Sequence, residues 1–362
     1  MKNLVIIGKV FPEPNSTAAG SRMIQLMDLF LTQNYQIKFL STATISENSF
    51  DLSSKNIQFQ NILLNDSSFD ELIINLNPDV VVFDRFTTEE QFGWRVSEQV
   101  PNAVKILDTE DLHFLRNARE KAFRQNKNLE NSDLINDVFK REIASILRCD
   151  VSLIISEFEM NLLIEKFKID ENILFYLPLF GAVKKPKTSF SERKNFVSIG
   201  NFLHEPNWQT VLQLKKLWKD IKKQLPEAEI HIYGAYASEK VFQLHNEKEG
   251  FIIKGKAESV ETVFKTAKVL LAPIPFGAGI KGKLLESMQF GLPNVTSTIG
   301  AEAMHGNFEW NGFITDNENE FIEKVVLLYQ DENLWQKSQE KGFNIIENRF
   351  KKELFEPNFI HK

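Results

Sequence analysis

Val269-Leu-Leu-Ala-Pro-Ile-Pro-Phe-Gly277-Ala-Gly279-Ile280-Lys281-Gly-Lys283-Leu-Leu-Glu286-Ser-Met-Gln-Phe-Gly291-Leu-Pro-Asn-Val295 reads as strand, loop, helix, stop and strand. The apolar run Val269–Ala272 has no alternation, the pattern of a parallel strand covered on both faces. A Pro/Gly loop follows, then a helix from about Lys281 to Phe290, then the Gly291-Leu-Pro stop. In a doubly wound sheet, ligands bind where strands end. Gly277 and Gly279 allow close approach of backbone to a ligand. The helix N-terminus, with Lys281 and Lys283, suits phosphate. Glu286, one to two turns into the helix, is placed to accept hydrogen bonds from ribose hydroxyls. A plain turn with two solvated lysines fits the same letters, because a Gly-x-Gly alone is weak evidence.

Outward from this stretch the same alternation continues. Strands are expected at Leu4–Gly8, Gln36–Leu40, Val80–Phe83, Val104–Leu107 and Val151–Ile155. A second series is expected at Phe196–Ile199, Glu229–Tyr233, Phe251–Ile253, Val269–Ala272 and Asn294–Thr296. Between them lie helical periods, such as Gly20–Thr32 with Ile24, Met27 and Leu31, and Asn207–Lys222 with Val211, Leu214, Leu217 and Ile221. A last helix is expected over Leu334–Phe350. Strand–helix alternation predicts an open α/β architecture with parallel sheets. The stretch Leu177–Lys194 has two prolines, five basic residues and no period, and reads as a linker between two halves.

Composition agrees. A chain of 362 residues has room for two domains. With 25% charged and 43% hydrophobic residues it is a folded protein and not a disordered one. Lys and Arg total 43 against 49 Asp and Glu, a net charge of −6 that argues against a strongly basic nucleic-acid coat. The one cysteine, Cys149, rules out an intrachain disulfide and argues against a cysteine-based zinc site. The opening apolar run is too short for a signal core and is broken by Gly8, Lys9 and Pro12. Cytoplasmic residence is expected, with peripheral contact at the inner membrane face as the alternative.

Four motifs together carry a resemblance. They are Pro273–Pro293, Phe196-Val-Ser-Ile-Gly200-Asn201-Phe-Leu-His204-Glu-Pro-Asn-Trp208, His231-Ile-Tyr-Gly234-Ala and Gly250-Phe-Ile-Ile-Lys254-Gly-Lys256. In order and spacing over about Asn195–Gly300 they resemble the group 1 (family 4-like) retaining glycosyltransferases of the GT-B fold. The resemblance implies two Rossmann-like domains facing an interdomain cleft. It puts an acceptor-side domain at 1–176 and a nucleotide-sugar domain at 177–345, with 346–362 packing back on the first. It implies a nucleotide-diphosphate sugar as donor, retention of anomeric configuration, a place in glycan or glycoconjugate biosynthesis, and no metal or other cofactor. Gly200 and Asn201 would lie at the cleft loop, with Gly234 and Lys254 on the following strand ends. Gly277, Gly279, Ile280 and Lys281 would cradle the diphosphate, Lys283 would add charge, and Glu286 would take the ribose. The first glutamate of the family's Glu-x7-Glu motif falls on Ala278 and is absent. The Arg and Lys that many relatives place after the first strand of this domain are absent too, and Lys281 and Lys283 are the candidates to replace them.

In the N-terminal half, Phe11–Arg22 resembles the family's first loop, with Gly20 and Ser21 opening the helix. The loop Leu107-Asp108-Thr-Glu110-Asp111-Leu-His113 follows a buried strand. The resemblance puts Glu110 and Asp111 where a His-Asp pair reaches the donor sugar, with His113 close by as its substitute. Asp108 belongs to the acceptor side. Helix capping by Asp108 or Thr109 explains the same letters. Asp84 and Arg85 end another strand. Arg85 is placed either for the cleft or for an i,i+4 pair with Glu89, and the pair is the simpler expectation. The basic run Arg116, Arg119, Lys121, Arg124 and Lys127 reads as a solvated helix face, or as a surface for anionic lipid or RNA. Acceptors open on this reading are a saccharide, a lipid-linked saccharide, a protein or RNA. The alternatives to a transferase are a non-catalytic GT-B partner subunit and a sugar-nucleotide epimerase.

Overall fold

The structure, a computed structural model, describes residues 2–361. It divides into two compact units. The bulk of the first is Ala18–Leu179, joined by the residues up to Pro14 and by those from Glu356 onward; the bulk of the second is Phe180–Phe355.

The first unit is built on β1 (Lys2–Gly8), β2 (Tyr35–Ser41), β3 (Gln58–Asn61), β4 (Val80–Asp84), β5 (Val104–Asp108), β6 (Val151–Ile154) and β7 (Leu174–Tyr176). They form one sheet in the order β3-β2-β1-β4-β5-β6-β7, every pair parallel. The second unit uses β8 (Lys194–Ile199), β9 (Ile230–Tyr233), β10 (Phe251–Gly255), β11 (Ala267–Ala272), β12 (Asn294–Thr296) and β13 (Gly312–Ile314). Their order is β10-β9-β8-β11-β12-β13, again all parallel. Each sheet runs outward from its first strand in one direction and then in the other. The order therefore reverses between β1 and β4 in one unit and between β8 and β11 in the other, the points where such sheets bind ligands.

Burial explains why the apolar runs became strands. Val81, Val82 and Phe83 on β4 and Val269, Leu270 and Leu271 on β11 have no exposed surface. Helices cover both faces, and in the second unit Trp218 and Trp335 fill the layer over Phe196 and Val269. Three strands, β3, β7 and β13, are absent from the sequence reading. All lie at sheet edges, where one side needs no apolar cover, and β3 is exposed along its whole length.

Boundaries moved by small amounts. The first helix starts at Ala18 and ends as expected at Thr32. The helix expected from Asn207 runs Glu205–Gln224 and carries Pro206 in its first turn, which the fixed φ of proline suits. The last long helix is Glu332–Ile345, continued by a π turn over Ile346–Phe350. The return to the first unit starts at Glu356 and not at 346. Up to Phe355 the chain stays with the second unit, where Gly181 N–H donates to Phe350 O at 2.8 Å and the Phe180 and Phe355 rings stack at 5.9 Å. Beyond it, the Phe359 ring meets Phe30 edge-on at 5.1 Å in the first unit.

Candidate functional site

In the second unit the strand-order reversal is flanked by the loop after β8 and the loop after β11. The first of these begins at Gly200. A Cβ at Gly200 would lie 2.6 Å from Asn207 Cγ and 2.7 Å from Lys283 Nζ, so only glycine lets these side chains close over the strand end. Lys283 Nζ donates to Asn207 Oδ1 at 2.7 Å, and Asn207 Nδ2 donates to Asn201 O at 2.8 Å. One chain of contacts thus joins the two loops. Gly234, at the end of β9, packs on the same turn, and its N–H donates to Gly255 O at 2.8 Å. Lys254 is exposed on the edge strand β10 and has no side-chain contact with this group among the described residues.

The loop after β11 is buried, Ala278 and Ile280 included. Gly279 has φ of 63°, a left-handed conformation that glycine adopts without strain. The helix that follows is Gly282–Gln289, so Lys281 is its N-cap residue and not its first turn. Lys281 provides no side-chain cap to the helix; its Nζ donates to Gly279 O at 2.6 Å and Ala278 O at 3.1 Å. The ammonium therefore sits over the glycine loop. Burial lowers the Lys283 ammonium to about 8, against the pull of Glu286. Burial raises the Glu286 carboxyl to about 7, opposed by Lys283 and Lys184. Beneath the helix a buried polar network fixes its position. Asn294 on β12 donates to Ser287 Oγ at 3.2 Å and to Asn311 Oδ1 at 2.7 Å, and accepts from Trp310 Nε1 at 2.9 Å.

The equivalent strand ends of the first unit carry charge. Asp84 closes β4 and Asp108 closes β5, side by side in register. Asp108 is fully buried, accepts from Arg22 Nε at 2.8 Å and forms an ion pair with Nη2 at 2.8 Å; Arg22 Nη1 donates to Leu177 O at 2.6 Å. Asp84 Oδ2 accepts from Lys9 N–H at 3.0 Å and lies 3.4 Å from Arg85 Nη1. The expected Arg85–Glu89 pair does not form, because Glu89 is taken by Arg148. Arg85 and Glu110 are both left-handed, with φ of 71° and 63°, although neither is glycine. Strain of this kind collects at functional sites. Glu110 is buried, its Oε1 has no hydrogen-bond partner, and burial followed by Asp108 pushes its carboxyl up to about 8. Asp84 Oδ1 and His113 Nε2 are likewise buried without a hydrogen bond. Burial lowers the His113 imidazole to about 3, although Asp111 Oδ1 lies 3.4 Å away and opposes this. Asp111 also pairs with Arg116. Ser21 Oγ donates to Pro14 O at 3.0 Å, and Gly20 packs against the backbone of Glu13. Neither Asp108 nor Thr109 caps the next helix, which starts at His113; Thr109 Oγ1 bonds Leu153 O at 2.9 Å. Among the described residues no group of three or more His, Cys, Asp or Glu is placed to hold a metal ion.

Residues 193–331 match the family Glycosyl transferases group 1. Solved structures extend the likeness over the whole chain. A TarM variant of S. aureus, in complex with fondaparinux, alpha-GlcNAc-glycerol and UDP, matches at TM-score 0.75 and 11% identity, covering 100% of this chain and 99% of that one. HepE of Anabaena, with UDP and glucose, matches at TM-score 0.75 and 10% identity, with 100% and 99% covered. The pneumococcal O-GlcNAc transferase GtfA, with UDP and GlcNAc, matches at TM-score 0.73 and 12% identity, with 99% and 98% covered. At such identities the likeness is one of fold, and that fold is GT-B. No curated protein matches the chain.

Around the second unit's loops, Asn207 is the residue whose contacts the sequence does not announce, though it stands in the His204–Asn207 motif already singled out. In the first unit Arg22, Glu142 and Glu159 were missed. Arg22 leaves a signal, a charge among Met23, Leu26, Met27 and Phe30 on the buried stripe of its helix. The basic run of the first unit is largely matched by nearby acids. Arg116 pairs with Asp111, Arg124 with Glu120 and Lys127 with Asp133, while Arg119 lies over the Phe158 ring at 5.1 Å. Among the described residues no helix is long and apolar enough to cross a membrane.

Proposed function

We propose that this protein is a retaining glycosyltransferase that moves a sugar from a nucleotide-diphosphate donor to an acceptor. The observation that carries the proposal is the helix start at Gly282. It has no side-chain cap, Lys281 and Lys283 stand on either side of it, and the Glu286 carboxylate lies one turn further on with no hydrogen-bond partner among the described residues. An uncapped helix N-terminus with two lysines stabilises a diphosphate. Negative charge grows on that group as the sugar leaves, so a fixed ammonium lowers the barrier more than it tightens binding. Glu286 would accept the ribose hydroxyls. The backbone around Gly277–Ile280 would contact the transferred sugar, since Ala278 has no carboxylate to do so. Glu110, Asp111, His113, Asp84, Arg85 and Asp108 of the first unit would serve the sugar and its acceptor. No metal enters this reading.

The neighbours that hold UDP make UDP-sugars the first donors to try. The test is a panel of UDP-, GDP- and ADP-sugars, scored by thermal shift and by release of the nucleoside diphosphate. A ligand at 100 times its Kd raises stability by about 2.7 kcal/mol. The anomeric proton coupling of the product, read by NMR, decides retention. Ala278 also motivates a second reading, a non-catalytic partner subunit, which predicts neither shift nor turnover with any donor. An epimerase would isomerise the donor without an acceptor.

A further inference from the structure

The loop that carries Glu110, Asp111 and His113 runs into the helix His113–Arg124. A helix start exposes N–H groups that its own N-cap side chain ordinarily satisfies. Here the N-cap is Leu112, which has no side chain to do this. Three residues that make good caps, Asp108, Thr109 and Asp111, stand just before it, and their side chains are engaged elsewhere. Asp108 is held by Arg22, Thr109 by Leu153 O, and Asp111 by Arg116. The N–H groups are met from elsewhere. Glu142, on the helix Asp137–Arg148, accepts from His113 N at 3.1 Å on one oxygen and from Phe114 N at 2.9 Å on the other. Glu159, on the helix Glu157–Asn161, accepts from Leu112 N at 2.9 Å. Both glutamates are 0% exposed.

We infer that Glu142 and Glu159 are positioning residues that take over the capping of this helix from the loop, so that Glu110 and His113 are left to face a ligand. Burying two carboxylates is costly, and one local serine or aspartate would cap the helix without that cost. The arrangement makes sense if the loop's polar groups are needed for something else. Their state agrees: Glu110 is held left-handed, and Glu110 Oε1 and His113 Nε2 are buried without hydrogen bonds. That the ligand is the sugar or acceptor rests on the function proposed above; that the loop is held by remote carboxylates does not.

The test is the titration of His113 by NMR on the full-length protein labelled at histidine, with the signal assigned from a His113→Asn sample. In the wild type the ring stays neutral well below pH 6, because burial dominates its surroundings of Asp111, Arg116, Arg85 and Lys9. Glu142→Gln keeps the shape but puts an amide NH2 against an N–H. It is expected to raise the His113 midpoint by at least one pH unit and to speed amide exchange at His113 and Phe114 at least tenfold. The sign is diagnostic. Burial raises the Glu142 carboxyl well above its usual range, so at the low pH where His113 titrates Glu142→Gln removes no charge, and a rise reports release of the loop toward water. UDP affinity is expected to stay within twofold. With a donor identified, kcat falls at least tenfold at unchanged donor KM. An unchanged midpoint and unchanged exchange in folded Glu142→Gln overturn the inference. If that variant does not fold, Glu142→Asp, which keeps the charge but shortens the reach, is read by the same two signals. Should no nucleotide sugar bind the wild type, the proposed function fails while the titration still decides the positioning.

Discussion

Two helices that begin at strand ends treat the same electrostatic problem in opposite ways. In the first unit the helix start at His113 is filled by the protein's own buried carboxylates, Glu142 and Glu159. In the second the start at Gly282 has no side-chain cap, and the charges around it are lysines. A positive helix end satisfied from inside has no call for an external anion; one left uncapped and flanked by ammonium groups does. The strand ends follow the same division. Asp84, Asp108 and Arg22 tie the first unit into a buried charge network, whereas Gly200 and Gly279 keep the second unit's loops to bare backbone. Changes to the buried Arg22–Asp108 pair should therefore act mainly on stability, and changes at the second centre mainly on binding and rate.

The sharpest way to break this contrast is Asp108→Asn. It leaves the Arg22 guanidinium, 3% exposed, without its counter-charge. Uncompensated buried charges cost about 3–5 kcal/mol. A urea titration should show a loss of this size, and a loss below about 1 kcal/mol would mean that the network is not structural. Lys281→Ala comes next. It should lower turnover by at least ~10²-fold, the scale of one preorganised donor, with a smaller fall in donor affinity and little change in melting temperature. Lys281→Arg should restore only part, because a planar fork does not replace a compact ammonium. Near wild-type turnover in Lys281→Ala would remove the diphosphate from this helix.

Glu286→Gln should weaken donor binding by roughly 1.5 kcal/mol, about tenfold, as read by calorimetry. Its effect on stability has the opposite sign. The Glu286 carboxyl is raised from 4.5 to about 7 by burial. Between those values the folded protein holds a proton that the unfolded chain has lost, so this group's contribution to stability falls as pH rises from 4.5 to 7. Glu286→Gln should then melt higher than the wild type at pH 8 and equally near pH 4.5. A variant less stable at pH 8 would show a carboxylate stabilised by the fold. The smallest effect is expected at Arg124→Ala, whose pair with Glu120 is a surface i,i+4 bridge with the arginine 60% exposed. A change above about 1 kcal/mol in melting analysis would give the basic run a structural weight that its geometry lacks.

What could be read in the letters follows from what burial dictates. Central strands such as β4 and β11 are covered on both faces and announce themselves as apolar runs. The edge strands β3, β7 and β13 are held chiefly by backbone pairing, which leaves almost no mark on composition. The second unit's candidate site could be put together from the letters because it is local, with glycines, lysines and Glu286 following one another along one loop and helix. The first unit's candidate site is assembled across the chain. Arg22 meets Asp108 over 86 positions, and Glu142 meets His113 over 29. Nothing adjacent to Glu142 in sequence marks it as a cap for a distant helix. The expected Arg85–Glu89 pair failed for the same reason, since Arg148, remote in sequence, claims Glu89.

The order of the units along the chain bears on how the protein is made. The bulk of the second unit is one uninterrupted stretch, Phe180–Phe355, whereas the first unit, begun at β1, is rejoined only from Glu356. On the ribosome, synthesis proceeds in the order of the sequence. The unit that starts first is therefore the one completed last, and Phe359 reaches its place against Phe30 only after the second unit has been fully translated. A premature stop a few codons upstream of Glu356 would thus harm the N-terminal sheet at a site remote in sequence, the reverse of what a truncation map drawn on linear distance would suggest.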